Sequence, residues 1–224
     1  MGGKIDMLKR TRLAAVLLAA LIAIAPAAWA QSPAGTVERQ KGTATRTGGG
    51  SPAALAVGVA VYPGDVIRTG SGGRLIIRFA DSSALTLGEK AEMTIDEMVY
   101  DPANAQAPGR QALRMAVGVF RYTSGAVGKA RRDQVLFSTP VATIGIRGTE
   151  FVGGELTVGM PPGQPHYGFQ IKEGAIEVAS PLGSVTLDEP GEGTFLPLAR
   201  AAAPTPVRQW TAEEAAEAEA LLAF

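Results

Sequence analysis

The chain contains no cysteine and only one histidine among its 224 residues. Without cysteine there is no disulfide, no thiolate metal ligand and no thiol nucleophile. The lone His166 follows a proline-rich stretch, so neither a catalytic triad nor a histidine-rich metal centre is predicted. Aromatic residues make up only 6% of the chain, which leaves few rings on which a sugar could stack. The fold must therefore be stabilised by its core alone.

Other patterns of catalytic and ligand sites are also missing from the sequence. Asp96 and Glu97 are neighbours, and neighbouring side chains on a strand point to opposite faces, which is poor geometry for acid–base catalysis. The glycines of residues 70–73 lack the lysine and the helix that follow a phosphate-binding loop. Residues 81–83 lack the spaced oxygen ligands of a calcium loop. We therefore predict no enzyme activity, no cofactor and no metal site.

The N-terminus has the three parts of a secretory signal. Four basic residues precede residue 13, and residues 13–25 carry no charge. Pro26 ends this run, and Ala28 and Ala30 place small residues at the two positions that a signal peptidase reads. These features predict a signal peptide over residues 1–30, cleaved after Ala30, and a mature protein in the periplasm. The alternative is a retained membrane anchor, because residues 13–30 approach the roughly 20 apolar residues that span a bilayer.

The predicted mature chain is slightly acidic. Cleavage after Ala30 removes four of the 21 basic residues and one of the 21 acidic residues, which leaves a net charge of −3. Nucleic-acid binding normally needs a clustered basic surface, so nucleic acid is not an expected partner. No segment after the signal is apolar enough to span a membrane.

Short runs of β-forming residues alternate with turns rich in glycine and proline. Residues 66–69, 74–79 and 84–87 are three such runs, and alternation in the second places Leu75, Ile77 and Phe79 on one face and Arg74, Ile76 and Arg78 on the other. This spacing predicts an all-β domain over residues 31–200, with a core at about 35–180. Residues 124–133, which carry Lys129, Arg131 and Arg132, are predicted to form a solvated loop, with an anion site as the alternative.

Two short patterns occur twice in the chain. A strand, a glycine and a second strand surround both Gly118 and Gly174. A Pro-Gly-acid turn occurs at residues 63–65 and resembles residues 190–192. Recurring strand–turn units are typical of a solenoid-like or rolled stack of β-layers, although a simple sandwich would produce the same pattern.

Only the C-terminus is predicted to be helical. Residues 201–224 read as a Pro/Ala-rich linker followed by a short helix, with Thr211 and Glu214 spaced as a capping box. The helix carries a modest apolar stripe, formed with Trp210 by Ala215, Ala218, Leu221 and Leu222. We interpret it as a lid docked on the β-domain, with a partner-binding helix as the alternative.

Three motifs resemble those of the FecR family. They are GDVIRT at residues 64–69, a D-x-S turn at residues 81–83, and TPVATIGIRGTEF at residues 139–151. The resemblance extends over about residues 35–178, and the last motif is the most specific. The residues that carry it are Gly64, Asp65, Thr69, Asp81, Thr139, Pro140, Gly145, Arg147, Gly148, Thr149 and Phe151. Ser82 departs from the family, which usually has glycine in this turn.

The resemblance implies a periplasmic, twisted solenoid-like or rolled β-domain that transmits a signal. In the proteins that name the family, this domain relays a signal from an outer-membrane iron–siderophore transporter to a cytoplasmic sigma factor. Those proteins also have an anti-sigma segment and a membrane helix, which we do not find in this sequence. We therefore expect an exported, stand-alone module that docks another periplasmic, inner-membrane or outer-membrane protein. The alternatives are an envelope glycan or small-ligand binding domain and a structural envelope protein.

The signature motif is interpreted as structural. Glycines in a strand usually mark a bulge or a close backbone approach, and Gly145 and Gly148 flank Arg147. An arginine has five donors and can cap several unpaired carbonyls. Our hypothesis is that Arg147 is partly buried and pairs with Asp65, with Asp81 or with turn carbonyls.

Overall fold

The computed structural model describes residues 32–48, 52–104, 107–130, 134–158, 166–199 and 201–224, and only the backbone of Arg147. The predicted signal peptide, its cleavage after Ala30 and the alternative anchor lie outside the described residues.

The described ranges contain sixteen strands and two helices. The strands are β1 (Gly35–Lys41), β2 (Ala44–Thr47), β3 (Ala53–Ala54), β4 (Ala60–Val61), β5 (Val66–Thr69), β6 (Arg74–Phe79), β7 (Ala84–Leu87), β8 (Glu92–Val99), β9 (Arg110–Val117), β10 (Val119–Thr123), β11 (Val135–Ser138), β12 (Thr143–Leu156), β13 (His166–Ser180), β14 (Gly183–Leu187), β15 (Glu192–Pro197) and β16 (Arg208–Gln209). The helices are α1 (Ala126–Ala130) and α2 (Ala212–Leu222).

All these strands belong to one open sheet that divides at β12. The first half of β12 pairs with β11, and its second half pairs with β10. The first arm runs β3-β2-β5-β8-β9-β11 up to β12, and the second arm runs from β12 through β10-β7-β6-β1-β4. Strand β13 follows β12 along its length, so β14 extends the first arm and β15 and β16 extend the second. Among the described pairs only β9 and β11 are parallel.

One hydrophobic core lies between the two arms. Alternation along β6 buries Leu75, Ile77 and Phe79, as the sequence pattern predicts. These residues share a cluster with Ile67 and Met93 of the first arm, so the apolar faces of the arms are packed together. At the centre lie four buried aromatic side chains in mutual contact, those of Phe120, Tyr122, Phe137 and Phe151.

The two repeated sequence patterns have matching structures. Gly118 and Gly174 have φ angles of 94° and 79°, and each lies where the chain passes between the two arms. A side chain rarely adopts this left-handed conformation, which explains why glycine occupies both positions.

The Pro-Gly-acid turns are also alike in detail. Gly64 and Gly191 have φ angles of 87° and 90°. The backbone N–H of Gly64 donates to Ile95 at 2.7 Å, and that of Gly191 donates to Ile171 at 2.9 Å. In both turns the acidic side chain accepts a hydrogen bond from a backbone N–H three residues earlier. The similarity of the two sequences therefore reflects one turn used twice.

The all-β fold with a short C-terminal helix is confirmed, whereas a solenoid is not. The strands form an open, almost wholly antiparallel sheet that is folded over, which corresponds to the rolled-sheet alternative. The predicted linker also differs from expectation, because residues 208–209 form the short strand β16 against β15.

The prediction of a solvated loop over residues 124–133 is wrong in its described part. Residues 126–130 form α1, whose Val127 and Gly128 are buried, and Ser124 is buried beside it. The helix begins where Asp81 accepts hydrogen bonds from the backbone of Ala126 and Val127. Because the cap comes from a distant part of the chain, the local sequence gives no sign of it.

Removing the hydroxyl group should change the free energy of unfolding in opposite directions at two fully buried tyrosines. The Tyr122 hydroxyl donates to Gln111 Oε1 at 2.5 Å, whereas the Tyr167 hydroxyl has no hydrogen-bond partner in the described part of the chain. Tyr167→Phe should raise the free energy of unfolding by about 1 kcal/mol, and Tyr122→Phe should lower it by about 1–2 kcal/mol. Urea unfolding of both variants measures this, and equal changes of the same sign would contradict the assignment.

Candidate functional site

The first signature motif builds the turn before β5. Asp65 is 1% exposed, and its carboxylate accepts a hydrogen bond from the backbone N–H of Tyr62 at 2.8 Å. The guanidinium of Arg46 donates to both carboxylate oxygens at 3.2 and 3.3 Å and also lies over the Tyr62 ring. A Cβ atom at Gly48 would overlap the Asp65 carboxylate. The motif thus ties β2 to the turn that precedes β5.

Thr69, the last residue of that motif, joins β5 to the corner between β7 and β8. Its buried hydroxyl donates to the carbonyl of Gly88 at 2.6 Å and accepts from the N–H of Ala91 at 2.9 Å. The backbone N–H of Thr69 donates to the carbonyl of Ala91 at 3.0 Å. The hydroxyl therefore satisfies two backbone groups at a point where the sheet changes arm.

Asp81 is bonded both within its own turn and to the start of α1. It is 1% exposed, and one carboxylate oxygen accepts from the N–H and the hydroxyl of Ser83 at 3.0 and 2.6 Å. The other oxygen accepts from the N–H of Val127 at 3.2 Å. A Cβ atom at Gly125 would collide with the Asp81 carbonyl, so this glycine permits the close approach of α1.

Ser83 extends the Asp81 contacts into a buried polar network. Gln111 donates to the Ser83 hydroxyl at 3.1 Å and accepts from Tyr122. Burial raises the pKa of Tyr122, and the nearby charge of Asp81 raises the pKa further. The tyrosine thus stays neutral and acts as a donor. The network joins the β6–β7 turn, β9 and β10. Its described members are all nearly fully buried, so a substrate could not reach them from solvent.

Ser82, which occupies a position where the family usually has glycine, has a strained backbone conformation. Ser82 has a φ angle of 67°, a left-handed conformation that costs a side-chain-bearing residue about 1 kcal/mol. The Asp81 carboxylate supports this turn by accepting a hydrogen bond from the backbone N–H of Ser83.

Replacing Ser82 with glycine should therefore stabilise the protein. We expect the free energy of unfolding to rise by about 0.5–1 kcal/mol and the melting temperature by about 2–4 °C. Ser138→Gly on strand β11 is the matched control, where the same change should be destabilising. Calorimetry measures the melting temperatures of both variants. If both changes stabilised the protein, or if neither did, the backbone at Ser82 would not be strained.

The third motif begins with the turn between β11 and β12. The Thr139 hydroxyl donates to the carbonyl of Ala142 at 2.9 Å and accepts from its N–H at 3.1 Å. Pro140 and Val141 at the tip border a small cavity of about 220 Å³, whose other walls come from Pro181, the end of β15 and the segment that follows it. Thr139 and Pro140 therefore shape a hairpin turn.

The two glycines of the motif differ in their roles. Gly148 has a φ angle of 61°, and the β12–β13 register shifts between Arg147 and Glu150, so a bulge lies here as predicted. A Cβ atom at Gly145 would meet only the Glu177 side chain, at an ordinary 3.8 Å. The expectation of a bulge or close approach is therefore wrong at Gly145, which lies exposed on the outer face of the sheet.

The predicted partners of Arg147 are occupied by other groups. Its side chain lies outside the described residues, so its burial and its pairing with Asp65 or Asp81 stay predictions. Asp65 is bound by Arg46, and Asp81 by Ser83 and Val127, as described above.

The end of the motif enters the core. The backbone N–H of Thr149 donates to the Ser124 hydroxyl at 2.9 Å, and its carbonyl accepts from the N–H of Ser124 at 2.8 Å. Two residues later, the ring of Phe151 is fully buried and contacts those of Phe120 and Phe137 at centroid distances of 5.6 and 5.7 Å. Both residues stabilise the junction of the two arms.

The side chains that bond these signature residues were not apparent from the sequence. Arg46, Gln111, Tyr122 and Ser124 are separated in sequence from the motif residues they contact. The structure brings Asp81 near Tyr122, but it keeps the Asp65 turn and the Thr139 turn as separate structural elements. Within the described ranges no three His, Asp or Glu side chains gather in a way that could hold a metal ion. His166 is buried at the start of β13 against Phe195, not in a solvated loop.

The C-terminal helix is docked on the outer face of the second arm. Trp210 stacks on Phe195 at a centroid distance of 5.1 Å, and a Cβ atom at Gly193 or Gly168 would overlap its indole. The helix itself buries Ala218 and Leu222. This agrees with the lid interpretation. The capping box of Thr211 and Glu214 is also present, as the sequence predicts.

Ion pairs fasten this helix to the sheet. Glu219 contacts both Arg121 and Lys172. Burial by itself would raise the pKa of Glu219, but hydrogen bonds from these two cations outweigh it and lower the pKa. The Arg208 guanidinium holds the pKa of Glu214 below its ordinary value of 4.5 through hydrogen bonds of 2.6 and 2.8 Å.

Acid should therefore weaken the docking of α2. Because the folded-state pKa of Glu214 is lowered, its pairing stabilises the docked helix above about pH 4.5 and is lost as the pH falls through the folded-state pKa. Fluorescence of Trp210, isolated by Trp29→Phe, should change over this acid range. Glu214→Gln should remove part of the transition, whereas the exposed control Glu213→Gln should not; identical acid profiles would rule out this role for Glu214.

The fold and the contacts above define an all-β module, and comparison assigns its family. The family described as FecR protein matches residues 65–178, half of the chain. The chain belongs to the FecR family, whose members are regulators rather than enzymes. The match begins at Asp65 and includes every signature residue except Gly64. None of the helices described here has the length and apolar character needed to cross a bilayer.

Two crystal structures of a proposed anti-sigma factor from Parabacteroides distasonis ATCC 8503, at 1.65 and 2.50 Å, resemble part of the chain. Each is 15% identical, with a TM-score of 0.49, and the match covers 67% of this chain and 62% of that one. The chain thus corresponds to less than two thirds of that protein. No curated protein matches the chain.

Proposed function

We propose that the chain is exported to the periplasm and acts as a signalling module by binding another protein of the cell envelope. The observation that carries this proposal is the use of the signature residues. Asp65, Thr69, Asp81 and Thr139 all bond backbone groups or neighbouring side chains within the fold. The motif shared with the FecR family therefore maintains the scaffold, and the specific function belongs to the surface.

Export is supported by residues 1–30, which combine a basic start, an uncharged run and an Ala-x-Ala end. A partner protein is supported by membership in a family of signalling regulators. The outer face of the first arm also offers the half-exposed Leu136, next to Gly145 on β12. An apolar side chain beside a glycine presents a flat surface of the kind that protein contacts use.

Two measurements on the full-length gene product test this proposal. Cell fractionation with N-terminal sequencing should place a chain beginning at Gln31 in the periplasm. Affinity purification of that chain from envelope extracts should retain one protein in stoichiometric amount. A cytoplasmic, uncleaved chain would refute export. Retention of envelope glycan without protein would favour the alternative of a glycan-binding domain.

A further inference from the structure

The ends of the sheet differ in how well they are protected. Three terminal strands, β3, β4 and β16, are only two residues long, which leaves little open backbone. The fourth, β14, has five residues and, among the described strands, pairs with β13 alone. Its sequence GSVTL has no charge and no proline, and its register with β13 is regular. Proteins usually protect a strand edge with charged residues, prolines or bulges. Because β14 lacks these features, it is an open template for another strand.

The outward backbone groups of β14 follow from its hairpin. A two-residue turn separates Ser180 from Gly183, so these two residues are the hydrogen-bonded closing pair. Antiparallel alternation then directs the backbone N–H and C=O groups of Ser184 and Thr186 away from β13. In the described part of the chain neither N–H has a hydrogen-bond partner. Both residues are exposed.

The surroundings of this edge are acidic. Glu177 lies opposite Thr186 on β13, and Asp188 and Glu189 follow directly after β14. All three are exposed, and none has an ion-pair partner among the described residues. Two cations on β13 and β16, Lys172 and Arg208, bind Glu219 and Glu214. Opposite charge across an interface favours encounter and selects partners.

We propose that β14 binds an extended, basic segment of the partner protein as an additional strand of the first arm. This inference rests on the proposed function and specifies how the partner docks. Main-chain hydrogen bonds to Ser184 and Thr186 supply the affinity, and lysine or arginine residues facing Glu177 and Asp188 supply the selectivity. A second copy of this chain is disfavoured as the occupant, because it would bring an identical acidic edge. An interface of this size is small, so binding is expected to be weak and sensitive to salt.

Photo-crosslinking in intact cells tests the proposal. A photoreactive amino acid at Ser184 of the full-length chain should capture a partner through a peptide that contains lysine or arginine. The same residue at Val57, which is 64% exposed near the β3 end of the sheet, is the control position and should give no such product.

Two sets of variants test the two parts of the interaction. Thr186→Pro removes the outward N–H without affecting the bonds to β13 and should lower the yield of crosslinked partner about tenfold. The control Thr186→Ala keeps the N–H and should leave that yield unchanged. The double change Glu177→Gln and Asp188→Asn should also lower the yield, with Glu97→Gln as its control. Melting temperatures of the purified variants confirm that each is folded.

The outcomes separate this inference from the proposed function. A partner that is captured elsewhere on the surface and is unaffected by Thr186→Pro would overturn the docking edge but leave the proposed function intact. Capture of a second copy of this chain at Ser184, or of an acidic or uncharged segment, would also overturn the inference. Failure to capture any protein from any surface position would contradict the proposed function itself.

Discussion

Replacing Phe151 with alanine should lower the free energy of unfolding by about 3–5 kcal/mol. Its ring is fully buried at the junction of the two arms and contacts Phe120, Tyr122 and Phe137. Alanine would leave a cavity that these rings, held by both arms, cannot readily fill. Because typical domains are stable by only about 5–15 kcal/mol, the variant is expected to be largely unfolded or close to it at 37 °C.

Denaturant unfolding followed by near-UV circular dichroism measures this effect. Phe151→Leu keeps most of the volume and should cost about 1–1.5 kcal/mol. Phe224→Ala, at the partly exposed C-terminus, should cost less than either change at residue 151. If Phe151→Ala changed stability no more than Phe224→Ala, the two arms would not share the core described here.

Replacing Asp81 with alanine should lower the free energy of unfolding by about 3 kcal/mol or more. The change leaves the backbone N–H groups of Ser83 and Val127 buried without their acceptor, and hydrogen bonds to a charged group contribute about 1.5–3 kcal/mol each. It also removes the side-chain part of the cap of α1, the bond from Val127, so this helix should lose protection from hydrogen exchange.

A second aspartate provides a matched control for Asp81. Asp101 accepts the same kind of bond, from the N–H of Ala103 at 2.9 Å, but it does so in an exposed turn. Asp101→Ala should therefore change stability by less than about 0.5 kcal/mol. Thermal unfolding and hydrogen exchange of both variants decide the question. An Asp81→Ala protein as stable as the Asp101→Ala protein would show that the buried carboxylate does not organise this turn.

Sequence patterns predicted the strands, helices and turns that are determined by residues close together in the chain. The alternation of Leu75, Ile77 and Phe79 identified β6, and the capping box of Thr211 and Glu214 identified the start of α2. Glycines in the left-handed conformation explain why the strand–glycine–strand pattern and the Pro-Gly-acid turn recur. Each of these features depends on residues only a few positions apart.

Features that depend on distant residues could not be predicted in the same way. The cap of α1 comes from Asp81, 46 residues before Val127, so residues 124–133 read as a loop. The choice between a solenoid and a rolled sheet depends on which half of β12 pairs with β11 and which with β10.

The residues of the candidate site could be identified from the sequence, but their hydrogen-bond partners could not. The signature residues Asp65 and Asp81 were named from the family resemblance and were interpreted as structural. Their hydrogen-bond partners were not, because Arg46 and Val127 are far from them in sequence. The edge of β14 was also missed, since the sequence GSVTL does not reveal that, of the strands described here, β13 alone pairs with it.

The central claim is that this FecR-family chain acts in the cell envelope through contact with another protein. The most direct measurement is chemical crosslinking of the wild-type chain in intact cells, followed by denaturing purification and mass spectrometry of everything attached. The account predicts one envelope protein in an amount comparable to that of the chain. A chain recovered alone or only with glycan, or found among cytoplasmic proteins, would contradict it.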